Sequence, residues 1–146
     1  MDKNNMISKG LVFGIILVVV GAIVVPSISG STRKTSYITE DYTPPTVEIT
    51  KPHYNMLYLF NKEFFQIGFA PIIIGKIDIE VNASDDDSGI EKVEFYIDGE
   101  LKANDTTEPY SWTWGTIEFF QHQIKVIAYD NADNNATADT YCWKFF

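Results

Sequence analysis

Cysteine is almost absent from this sequence: Cys142 is the only one in 146 residues. A lone cysteine excludes an internal disulfide framework and any zinc module built on cysteine pairs. Histidine is nearly as scarce, with His53 and His122 alone, and neither stands near a serine or cysteine nucleophile in the sequence. There is no phosphate-binding glycine loop, metalloprotease helix or nucleophile elbow. The expectation is a protein that is not an enzyme. Basic residues are in deficit, 11 Lys and Arg against 20 Asp and Glu, for a formal net charge of −9. Such a chain repels phosphate and offers no basic patch, which argues against nucleic acid as a partner. Helical periodicity is missing as well, since nothing after Gly30 carries an apolar stripe at a period of about 3.6 residues. What the chain does have is apolar matter, with 45% hydrophobic and 14% aromatic side chains. That is enough for one packed domain, alone or with an appendage.

The appendage is at the N-terminus. A short polar start containing Lys3 and Lys9 leads into Leu11–Val25, an uncharged apolar run that Pro26 stops. Ser27 and Ser29 then place small residues before a cut ahead of Gly30, the pattern of a secretory signal peptide over 1–29. The run is shorter than the roughly 20 residues that span a bilayer, so cleavage is favoured over an uncleaved membrane anchor. A pilin-type leader cut between Gly10 and Leu11 is a third reading, weakened because no acidic residue follows early in the run. All three place the rest of the chain outside the cytoplasm, in the extracellular space or on the cell surface. A membrane contact is expected only through this segment, if it is retained. Residues 30–45 are rich in Ser, Thr and Tyr, end in Pro44-Pro45, and read as a polar tether.

From Thr46 to Phe146 the period is two. Ile77, Ile79, Val81 and Ala83 alternate with polar residues, as do Val93, Phe95 and Ile97. Tyr110, Trp112 and Trp114, and then Ile124, Val126 and Ala128, continue the pattern. Alternation of this kind marks strands with one buried and one wet face. Val47 with Ile49 makes a shorter first strand and Tyr141–Phe145 a last one. Turn signals separate them at Asp85–Gly89, Asp98-Gly99, Asn104–Pro109 and Asp130–Asn135. About seven short strands over about 100 residues predict an all-β, immunoglobulin-like antiparallel β-sandwich over 46–146. Trp112 and Trp114 are expected to fill core volume that no inter-sheet disulfide occupies.

The stretch Ala83-Ser84-Asp85, then Ser88 through Gly99 (SGIEKVEFYIDG), resembles the centre of bacterial and archaeal Ig-like domains. Pro109-Tyr110-Ser111-Trp112 and His122 through Asn134 look like the second half of the same family. Two positions depart from the family pattern: Gln121 stands where a Gly usually precedes the His, and Asp133 where a Gly usually sits in the last loop. The resemblance, covering roughly 44–146, implies an extracellular module that binds or spaces and does no chemistry.

The most suggestive constellation is acidic. Asp85, Asp86 and Asp87 lie in one loop, Asp130 and Asp133 in another, and an immunoglobulin sandwich brings these two loops to one end. Several carboxylates there could serve calcium, which takes six to eight oxygens in irregular geometry. The competing reading is that Asp and Asn are ordinary turn residues. No cofactor besides calcium is suggested. The long connection from Lys51 to Gly75 is expected to form an extra strand or hairpin. Its aromatic residues either make a patch for an extracellular protein or glycan, or cap a sheet edge and fill core. The second is favoured because so many large apolar residues rarely all stay exposed. Sequons at Asn82, Asn104 and Asn135 would be glycosylation acceptors in an exported protein, and Cys142 reads as a buried small hydrophobe. The whole describes a surface or secreted module for adhesion or ligand binding. The alternative is a structural subunit of an envelope layer or pilus-like filament.

Overall fold

The structure, a computed structural model, describes residues 40–146. The segment 1–29 expected to direct export, and most of the expected tether, lie outside the described residues. Residues Asp41–Phe146 form a compact unit. Its ten strands are β1 (Thr46–Lys51), β2 (Met56–Leu59), β3 (Lys62–Gln66), β4 (Ile72–Ile74) and β5 (Ile77–Ser84), followed by β6 (Ile90–Ile97), β7 (Glu100–Asp105), β8 (Ser111–Trp114), β9 (Phe120–Asp130) and β10 (Asn135–Phe145). They build two sheets, one ordered β1-β5-β8 and the other β3-β2-β4-β10-β9-β6-β7. This is the expected all-β sandwich, enlarged. The count of about seven strands is corrected to ten because the 51–75 connection contributes β2, β3 and β4. β4 lies parallel to β10 and β2 parallel to β4, so the larger sheet is mixed.

Period-two patterning explains which side chains meet between the sheets. Ile77 and Ile79 of β5 face Val93 and Phe95 of β6 and Ile124, Val126 and Ala128 of β9, all with no exposed surface. Removing each large apolar side chain from water contributes about 1.5–3 kcal/mol. Trp114 is fully buried, and Trp112 packs against Phe95 with ring centroids 6.4 Å apart. In β10 the alternation runs against hydropathy. Cys142 and Lys144 point inward with no exposed surface, while Tyr141 and Trp143 face out. Burial pushes the Cys142 thiol up to about 12, so it is an inert core group.

The two strand pairs at the rims of the large sheet turn on two-residue loops with left-handed backbone. Asp98 and Gly99 (φ 51° and 83°) join β6 to β7, and Phe60 and Asn61 (φ 48° and 73°) join β2 to β3. Asp-Gly suits that geometry, whereas Phe does not. Asn61 holds its turn from the side, its Oδ1 accepting from the Asp78 amide at 2.9 Å. Both rim strands, β3 and β7, carry a bulge opposite their neighbours. Bulges, charges and short length blunt sheet edges against pairing with another chain.

The aromatic connection departs from expectation. Tyr58 and Ile73 are buried, but Tyr54, Phe60, Phe64, Phe65 and Phe69 are 54–70% exposed. The physical reason is the unequal sheets: β2 and β3 extend a layer of seven strands beyond an opposing layer of three, so no sheet covers them.

Candidate functional site

The loops 85–89 and 130–134 do meet at one end of the sandwich. The Asn131 amide donates to the Gly89 carbonyl at 3.0 Å, and Asn131 Nδ2 donates to the Ser88 carbonyl at 2.9 Å. Within the first loop Asp85 Oδ1 accepts from the amides of Ser88 (2.7 Å), Gly89 (2.9 Å) and Asp87 (3.2 Å). The Ser88 amide is the main cause that holds the Asp85 carboxyl below its ordinary pKa. In the second loop Asp130, with no exposed surface, accepts from the amides of Ala132 and Asn134, both at 2.8 Å. Asp133, where the family pattern has Gly, adopts φ 68°, a conformation Asp tolerates better than most residues.

A third carboxylate joins them from a segment read as tether. Asn134 Nδ2 donates to the Asp41 carbonyl at 3.2 Å and bonds Asp130 Oδ2 at 2.9 Å, fastening the incoming chain to the second loop. Asp41, Asp85 and Asp130 each then offer a carboxylate oxygen, all within 4.8 Å of one another. Asp41 Oδ1 accepts from the Thr43 amide at 2.8 Å, whereas Asp41 Oδ2 is shut off from water with no donor. Asp86, Asp87 and Asp133 are not part of this group. Sequence reading therefore named two of its three members. Asp41 carried no local signal, because only the fold of the 41–45 segment onto the last turn brings it there.

Three like charges converging on an oxygen that lacks a donor suit a hard cation. Calcium would add the missing partner of Asp41 Oδ2 and offset repulsion among the carboxylates.

At the opposite end His122 Nδ1 stands 2.6 Å from Asp98 Oδ2, and its ring is perpendicular to that of Trp114 with centroids 5.4 Å apart. His122 Nε2 is buried without a partner. Cys142 lies directly across the ladder from His122, but a thiol titrating near 12 is no nucleophile at neutral pH. Lys144 Nζ donates to the carbonyls of Gly75 (3.0 Å) and Thr116 (2.9 Å) and to that of Phe146, with the Trp114 ring 5.2 Å away. Burial lowers its pKa from the ordinary value. Asn82, Asn104 and Asn135 are all exposed.

Residues 72–141 match a family model described as Bacterial Ig domain. Among solved structures, the fibronectin(III)-like modules of CbhA from Clostridium thermocellum are similar at 30% identity with a TM-score of 0.54. That likeness covers 70% of this chain and 47% of the other, so the chain spans about half the length of the protein it resembles. Among curated proteins none matches.

Proposed function

We propose that this chain, whose residues 72–141 match a family model described as Bacterial Ig domain, is an exported, non-catalytic surface module for adhesion or ligand binding, its acidic loop end ordered by calcium. Ig-like and fibronectin(III)-like domains are commonly extracellular, which supports the export reading of 1–29. The partner is an extracellular protein or glycan. The observation that carries the calcium reading is the convergence of Asp41, Asp85 and Asp130 around the donorless Asp41 Oδ2.

Thermal unfolding of residues 30–146 with excess calcium, and again with chelator, tests it. A ligand bound only to the folded state at about 100 times its dissociation constant adds about 2.7 kcal/mol. For a domain of this size the midpoint rises by about 10 °C. Asp41→Asn and Asp130→Asn each remove most of the rise, while Asp86→Asn leaves it in place. Superimposable curves with and without calcium would rule the metal out.

A further inference from the structure

The end of the sandwich opposite the carboxylates is apolar. Phe60 in the β2–β3 turn, Ile117 and Phe119 in the β8–β9 loop, Phe120 opening β9, and Phe146 are 48–75% exposed. They belong to one patch. Phe119 meets Phe146 with ring centroids 5.9 Å apart and Phe120 at 6.5 Å. The Phe60 ring lies against Gly75, whose amide donates to the Phe145 carbonyl at 2.8 Å. Lys144 Nζ fastens the carbonyls of Gly75, Thr116 and Phe146 beneath it.

Two of these phenylalanines are held outward at a cost. Phe60 and Phe120 have φ of 48° and 84°, a region that bulky side chains avoid.

We propose that this aromatic end is a self-docking face through which two copies of the chain pair end to end, so that the partner of one module is another. Two arguments select a second copy. The first is charge. The chain is strongly acidic as a whole, and loops 85–89 and 130–134 contain no basic residue. Around the aromatic end the exposed Lys62 and Lys76 stand among Asp78, Asp98 and Glu118, so charge of both signs is present and like faces meet with less repulsion than at the acidic end. The second is area. Five large apolar residues at half to three-quarters exposure offer about 600 Å², close to the roughly 800 Å² per partner of a standard interface and at the top of the range for a monomer's largest patch.

A pairing of this kind is isologous and closes at two copies. The chain enters the domain at the other end, where Asn134 holds the Asp41 carbonyl. Each of β9 and β10 is 11 residues long, so the two entry points of a pair stand on the order of 70 Å apart and face opposite ways. Modules held by their N-termini on two surfaces would meet tip to tip. This use rests on the adhesive reading above; the contact itself does not.

Sedimentation of residues 30–146 from about 5 μM to about 1 mM is the test, because the unit Asp41–Phe146 contains the whole described core. The expected result is a mass rising to twice that of the protomer. Ile117→Asp with Phe120→Ser raises the dissociation constant at least about tenfold while the thermal midpoint holds. Phe64→Ser on the rim strand and Asp86→Asn at the acidic end leave it unchanged. A monomer throughout, or a dimer indifferent to Ile117→Asp with Phe120→Ser, overturns the proposal. Neither outcome bears on the calcium response, which is read separately.

Discussion

A lysine with no exposed surface must find an acceptor for each proton it donates, and Lys144 finds three carbonyls. Each belongs to a different part of the chain: the β4–β5 turn, the β8–β9 loop and the end of β10. The residue therefore ties together the backbone under the aromatic end, with the Trp114 ring beside it. Lys144→Met keeps the stem but strands those carbonyls, and the expected loss is about 3 kcal/mol in a urea titration. Nothing in the sequence marks this role. Tyr141–Phe145 reads as a strand, and hydropathy alone would send the lysine out and the tryptophan in. The β10 register decides otherwise, since Cys142 lies across from His122 on the inner face and Lys144 shares that face.

At the scale of the element, the 85–89 loop shows how a turn becomes an anion holder. Asp85 Oδ1 gathers three backbone amides, and these bonds exist only in the folded state. The Ser88 amide leads in lowering the carboxyl's folded pKa below the ordinary value. The unfolded chain therefore takes up the proton more readily. The stabilisation is fully present above the unfolded value of about 4 and is lost as pH falls through the folded one. Urea midpoints in the absence of calcium should drop between about pH 5 and pH 3, and Asp85→Asn should flatten that drop. Asp78 and Asp98 are also lowered in the fold, Asp78 chiefly by the Thr113 hydroxyl and Asp98 by the Gln123 amide against the cost of its burial. They leave a residual slope. Turns differed in how openly the sequence announced them. Asp98-Gly99 carries the residues its left-handed backbone favours, whereas Phe60-Asn61 conceals the same turn behind a phenylalanine whose conformation only the Asn61–Asp78 bonds and the packing against Gly75 sustain.

The unit Asp41–Phe146 is polarised along its strands, with carboxylates at the end where Asp41 lies and phenylalanines at the other. Both rims of the large sheet are bulged, so edge-to-edge growth is discouraged and the ends are left as the places for contact. Residual repulsion between two acidic bodies is screened by salt. End-to-end pairing should accordingly tighten as sodium chloride is raised from about 0.02 M to about 0.5 M, measured by sedimentation. A contact built on opposite charges would weaken over the same range.

The sequence by itself determined the sandwich and its core, because alternation along a strand is local and each of Ile77, Ile79, Phe95, Ile124 and Val126 had its facing set by its immediate neighbours. It also placed the two acidic loops at one end, since their order among the strands fixes where they emerge. Only the tertiary structure decided that Asp41 completes the carboxylate group, that Phe60, Phe64 and Phe65 stay in water, and that Lys144 goes inside. Each of these depends on which distant segments meet and on how many strands the opposing sheet supplies, quantities that no local pattern encodes.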